Sequence, residues 1–210
     1  MRWTKSLLLA GTLAAPLFIA TDIVAAALLY PGYDYAAQQV SELSAIGAPT
    51  RTFWLVMSYP YVLLLLALAL GTWLSATRTA QRVAAALIAV FAIHGLLWAT
   101  LAPMHMRNTA FTDTDTLHIA FTVVAVALMT GFIAAGALLF GRSFRLYSAL
   151  TIIAMLAAGG IVGTQISAIA AGEPTPWMGL VERVAVYGPV VWTAVFALAL
   201  WWRAEDASTP

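Results

Sequence analysis

Asp115-Thr-Leu-His118 sets a carboxylate and an imidazole three residues apart. On a helix that spacing brings both side chains to one face. Such a pair can share a metal ion, as the acid–histidine pairs of bundle metal sites do. It can also act as a base and the group that orients it. His105, which follows Pro103 in the loop upstream, can converge with His118 across that loop. Two histidines with Asp115 would form a three-ligand set with an open position, the pattern of catalytic zinc. A divalent metal such as zinc is therefore the cofactor these residues suggest. An acid in a first helical turn also suits capping and the helix dipole, and a loop histidine also suits water. The spacing leaves these roles open.

Further polar residues stand in otherwise apolar surroundings. Asp22 and His94 each precede the end of a long apolar run by a similar interval, which places both about 12 Å below one boundary at 1.5 Å per residue. Ionisable groups at that depth are costly unless paired or wetted. A mutual hydrogen bond, or a polar cavity that binds substrate there, would meet the need. Glu182 and Arg183 open the last apolar run. Adjacent residues on a helix diverge, so Glu182 can face the interior as an acid or ligand while Arg183 holds a phosphate at headgroup level or snorkels. Ser41-Glu42 and Ser44 lie in a polar stretch. Ser41 would need a base to act as a nucleophile, and no Gly-x-Ser-x-Gly elbow surrounds it. Serines here equally suit helix capping.

The elements that must position these groups follow from composition. Of 210 residues, 62% are hydrophobic and 9% charged, and mean hydropathy is +0.90. Soluble domains run roughly 45–50% apolar and about 25% charged. A soluble globular domain, a disordered tail and a nucleic-acid binder are excluded. Net charge is +1 and cysteine is absent, which rules out disulfides and thiolate chemistry. Six apolar stretches, at about 6–30, 53–75, 83–102, 117–140, 146–171 and 180–202, are each long enough to span a bilayer. The run from Ser6 to Tyr30 exceeds a signal-peptide core of roughly 7–15 residues and reads as a retained first helix. The expectation is an all-α, single-domain bundle of six transmembrane helices over residues 1–210, with outer loops 31–52, 103–116 and 172–179.

Arg2, Lys5, Arg78, Arg82, Arg142, Arg145 and Arg203 fall on one side of this arrangement, seven of the ten basic residues. The positive-inside rule then puts both termini in the cytoplasm. All three histidines and most acids fall in the outer half. Residues 36–45 carry one apolar stripe, Ala37, Val40 and Leu43 or Ser44, before Gly47 and Pro49 and predict a short amphipathic helix, a lid between the first two spans. Tyr30, Tyr33, Tyr35, Phe53 and Trp54 suit an interfacial aromatic belt.

Tyr30-Pro-Gly-Tyr-Asp34, Ser41-Glu-Leu-Ser44 and Gly47-Ala-Pro49 resemble the opening of a bacterial and archaeal integral-membrane family, domain of unknown function 998. Pro103-Met-His105, Asp115 with His118, and Gly179-Leu-Val-Glu-Arg183 followed by Trp192 extend the resemblance to about residues 8–202. It implies six helices and a cytoplasmic-membrane location, and no activity.

Together these features predict an outward-facing polar site. Hydrolysis or group transfer on a lipid or lipophilic substrate is one use: His118, Asp115 and His105 as metal ligands or acid–base groups, Glu182 and Ser41 assisting, and Arg183, Asp22, His94 and Glu42 binding substrate. A lipid or amphiphile carrier, or a small subunit of a membrane complex, is the alternative. Membrane lipids are the expected partners, and nothing points to nucleic acid.

Overall fold

The structure, a computed structural model, describes residues 2–206. In chain order it contains α1 (Arg2–Val24), a π-helical turn (Ala25–Leu29), a 3-10 helix (Val40–Ser44), α2 (Arg51–Leu74), α3 (Thr79–Leu101), α4 (Asp113–Ala137), α5 (Arg142–Thr164), a short α6 (Ile166–Ala170) and α7 (Met178–Asp206). Among the described residues there is no strand, only an isolated bridge between Ile46 and His105. Six helical runs are long and apolar enough to cross a membrane: Trp3–Leu29, Arg51–Leu74, Thr79–Leu101, Asp113–Ala137, Arg142–Ile169 and Met178–Arg203. Helices satisfy their own backbone groups, which is what a hydrocarbon environment demands. The chain is a multi-pass all-α membrane protein.

Local chemistry moves some boundaries. α4 starts at Asp113 rather than near residue 117, because Thr112 and Asp115 form a reciprocal capping box. The Thr112 amide donates to Asp115 Oδ2 at 2.9 Å. Pro16, Pro60 and Pro189 lie inside helices that continue past them.

Neighbouring helices form a ring in which α1 packs on α2 and α7, α3 joins α2 to α4, and α5 packs on α7. The α4–α5 seam that closes the ring carries far fewer contacts than the others. Packing is dense toward the end with the short connections. Trp192 and Phe196 of α7 are fully buried there with Leu8, Leu68 and Leu139. The Trp192 indole donates to Ser148 Oγ of α5 at 2.8 Å and stacks on Phe196 at 4.9 Å. A Cβ at Gly136 of α4 would stand 2.6 Å from the Trp192 ring. Only glycine lets α4 and α7 meet this closely.

The opposite end carries the long connections. Residues 36–45 do not form the expected amphipathic α-helix. Turns lead instead into the five-residue 3-10 helix Val40–Ser44. Asp34 Oδ1 accepts the amides of Ala36 and Ala37 at 2.9 and 3.2 Å, which fixes a side-chain turn before a helix can start. Leu43 is fully buried with Ala25 and Ala26, ringed by Tyr30, Tyr33, Tyr35, Phe53 and Trp54. These aromatics pack around Leu43 and its neighbours on α1, so the middle of segment 30–50 is folded into the mouth of the bundle. The Ile46 amide donates to the Met104 carbonyl at 2.8 Å and ties this segment to the next long loop.

Candidate functional site

Three charged groups hold segment 30–50 in place. The first is a bidentate ion pair between α1 and α7. Arg183 Nε donates to Asp22 Oδ2 at 2.9 Å and Nη2 to Oδ1 at 3.0 Å. Asp22 is fully buried and Arg183 is 4% exposed. The hydroxyls of Tyr35 and Tyr187 also donate to Asp22. Arg183 Nη1 donates to the carbonyls of Tyr35, Gln38 and Gly179 at 2.9, 3.2 and 3.1 Å. The guanidinium lies 3.5 Å from the centre of the Tyr35 ring, a cation–π contact. Nη2 also donates to the Tyr33 hydroxyl at 3.0 Å, and that hydroxyl donates to the Gln39 carbonyl at 2.6 Å. Burial pushes the Tyr33 phenol well above its ordinary range, so it stays a neutral donor.

This geometry corrects two expectations. Asp22 does not pair with His94. His94 Nδ1 is buried without a partner, its ring 4.9 Å from Phe121. Arg183 does not reach a headgroup phosphate, because its donors are spent on Asp22, Tyr33 and backbone carbonyls. A buried carboxylate in low dielectric takes the strongest available cation, and the register of α1 against α7 brings Arg183 to it.

The second group joins the long loops. Arg107 Nε donates to both oxygens of Glu42 at 2.8 Å, Nη1 to Thr175 Oγ1 at 2.6 Å and Nη2 to the Ala37 carbonyl at 2.7 Å. Glu42, 2% exposed, also caps its own helix by accepting the Gln39 amide at 2.8 Å. Glu42 is thus a structural acid, and the substrate-binding role expected of it is not supported by its surroundings.

The third is Glu182, which accepts the Ser41 hydroxyl at 2.6 Å and the Val40 amide. Glu182 reaches the 3-10 helix and not the histidines. At Gly179, one turn earlier, a Cβ would fall 2.2 Å from the Gln38 carbonyl oxygen. Glycine there allows the segment to lie directly on the start of α7.

Of the expected metal triad, two members meet. The His105 amide donates to Asp115 Oδ1 at 2.7 Å, and His105 Nδ1 lies 3.0 Å from Oδ2. His118 turns elsewhere: Trp98 Nε1 donates to its Nδ1 at 2.9 Å, and the Ala102 carbonyl oxygen lies 2.9 Å from the same nitrogen. Asp115 is already engaged by Thr112 and His105. Among the described residues no three His, Asp or Glu side chains are grouped to hold a metal ion. The residues do not fit the zinc site that the spacing allowed, since Asp115 and His118 share a helix face but diverge in partners.

Beneath this polar cap lies a cavity of about 540 Å³. Ser41, Glu182, Arg107, His105, Asp115 and His118 contribute to its polar end. Its body is apolar, with Leu65, Phe91, Met129, Met155 and Val190 in the wall. Asp22, Glu42, His94 and Arg183 are not among its lining residues. The sequence reading missed Arg107, Tyr35, Tyr187 and Thr175. A signal existed for Arg107: it is one of three arginines on a side that holds most of the acids, and it takes Glu42 as Arg183 takes Asp22.

Six apolar spans around a capped central chamber define the chain as a multi-pass helical membrane protein with an internal cavity. It belongs to the family described as protein of unknown function DUF998, which matches residues 12–199. No curated protein and no solved structure matches the chain.

Proposed function

We propose that the chamber binds a lipid or other lipophilic molecule, with its apolar part among Leu65, Phe91, Met129 and Met155 and its polar group toward Ser41, Glu182, His105 and His118. The observation that carries this reading is the chamber itself. A cavity of about 540 Å³ falls in the range of small-molecule sites, roughly 300–1,000 Å³, which are mostly apolar with a few convergent polar groups. The clustering of basic residues at the short-connection end supports a topology with both termini in the cytoplasm of a bacterial or archaeal cell. The polar end of the chamber then faces outward. Purification in mild detergent followed by lipid mass spectrometry tests the reading. A defined species should co-purify and be displaced when Met155→Trp fills the chamber. A lipid profile that matches the bulk membrane and does not respond to that substitution would refute it.

A second reading, chemistry on the bound molecule, rests on the 2.6 Å bond from Ser41 to Glu182 at the chamber wall. In ester transfer Ser41 Oγ would bond to the carbonyl carbon as its proton passes to Glu182. The ester C–O bond would then break, with Glu182 returning the proton to the departing alcohol. An acceptor water or alcohol would release the acyl group by the reverse sequence and restore Ser41. Release of the alcohol fragment from a bound ester, lost in Ser41→Ala with binding retained, is the expected signature. No release by the native protein from any lipid ester it binds would exclude it.

A further inference from the structure

The chamber meets the surface in two places. At the capped end its exposed lining residues are Asn108, Thr109, Ala110 and Phe111. Along the membrane-spanning helices the exposed lining residues are Val123 of α4 and Leu156, Gly160 and Gly163 of α5. The chamber-lining residues of α1, α2, α3 and α7 are buried or half-buried. So within the bilayer thickness the chamber is open on one side, at α4–α5. This is also the seam with the fewest contacts in the ring. At Gly159, Gly160 and Gly163 a Cβ would meet nothing within 4 Å, in contrast to Gly136 and Gly71, where close helix contact explains the glycine. These three glycines thin the α5 wall where it faces open space.

We infer that the α4–α5 seam is a lateral portal through which the chain of a membrane lipid passes between the bilayer and the chamber. The inference rests on the chamber being a lipophile site and adds the source of the ligand. An apolar opening at mid-membrane depth gives access to acyl chains and not to water-borne solutes. The other opening, at Asn108–Phe111, lies in the loop before α4 and outside the membrane-spanning helices, so an acyl chain would have to leave the hydrocarbon to use it.

The absence of cysteine allows a reversible block. Gly160→Cys, in open space, is reconstituted into phosphatidylethanolamine/phosphatidylglycerol vesicles containing a phospholipid with a diazirine in its acyl chain. A bulky methanethiosulfonate reagent then modifies the cysteine. Light-induced adducts are mapped to the chamber residues Phe91, Met129 and Met155. Adducts should form in the unmodified protein, disappear on modification and return on reduction. Ile153→Cys, exposed on α5 and outside the chamber lining, should show no loss when modified. Leu156→Cys supplies a second block at the same seam should Gly160→Cys not fold. Chamber adducts that persist unchanged through modification of both positions would overturn the portal and leave the chamber reading intact. No chamber adducts in the unmodified protein would overturn both.

Discussion

Asp22→Asn should loosen segment 30–50. The Asp22 carboxylate accepts from Arg183 Nε, Arg183 Nη2, Tyr35 and Tyr187. An asparagine keeps the shape and one acceptor but leaves Arg183 buried beside an amide. Breaking a buried ion pair by removing one partner costs ~3–5 kcal/mol. At about 1.4 kcal/mol per tenfold, that raises the open fraction of whatever unit the pair secures by about two to three and a half powers of ten. The unit is local, because Arg183 also donates to the Tyr35 and Gln38 carbonyls. Hydrogen exchange in a bilayer mimetic reads it directly, since local opening has its own free energy. The amides of Gln38 and Glu42, bonded to Asp34 and Gln39 in the native fold, should lose protection by that factor. The amides around Trp192 should change less. Replacing both partners, as Asp22→Leu with Arg183→Met, should recover much of the loss, because a packed apolar pair removes the uncompensated charge. Unchanged exchange at Gln38 and Glu42 in Asp22→Asn would refute the reading of this pair as the anchor.

Four further outcomes follow from the same geometry. Gly179→Ala, whose Cβ would fall 2.2 Å from a backbone oxygen, should destabilise the protein by ~1–3 kcal/mol, visible as a lower thermal midpoint in detergent. Arg107→Met should leave Glu42 buried and unpaired at a cost of ~3–5 kcal/mol. Adding Glu42→Gln should restore part of it in the same melting assay. Glu182→Gln retains an acceptor for the Val40 amide, so lipid retention by mass spectrometry should survive it. If the second reading holds, ester cleavage should not. His118→Phe removes the Trp98 acceptor while keeping a ring in place, and the Trp98 fluorescence environment should change with no change in bound metal by elemental analysis.

The spans were legible because composition dictates them: 20-odd apolar residues between basic or polar breaks permit little else in this chain. Asp115 was legible as a first-turn acid, and Ser41 as a residue of the segment between the first two spans. What failed was partner assignment. Depth along a helix can be counted from sequence, and Asp22 and His94 do lie at comparable counts. Azimuth cannot be counted, because it depends on how α1 rotates against α3 and α7. Asp22 faces α7, so Arg183 takes it. The same gap explains the missing metal triad: a shared helix face for Asp115 and His118 says nothing of the Thr112 capping box or of Trp98 one helix away. Segment 36–45 failed for a local reason. Its apolar stripe at Ala37, Val40 and Leu43 fits a helix, but Asp34 draws the amides of Ala36 and Ala37 into a turn and Glu42 accepts the Gln39 amide, so only five residues wind up, and as a 3-10 helix.

The distribution of strong contacts bears on how the chamber is reached. Each of the three charged groups at the capped end pins segment 30–50 to a different neighbour: Asp22–Arg183 to α1 and α7, Arg107 to the loop before α4 and to Thr175, and Glu182 to the body of α7. Lifting the segment must break the Glu42–Arg107 pair and strip Glu182 and Arg183 of their partners on it, and a buried charge that loses its partner costs several kcal/mol. Among the described residues the α4–α5 seam has no comparable tie. Helices in lipid separate without a hydrophobic penalty, because acyl chains are as apolar as the side chains they replace. Parting that seam by the width of a chain therefore loses mainly dispersion contacts, and the chain that enters supplies new ones. On the portal proposed above, segment 30–50 is a fixed wall of the chamber and the glycine-lined side of α5 is the one that yields.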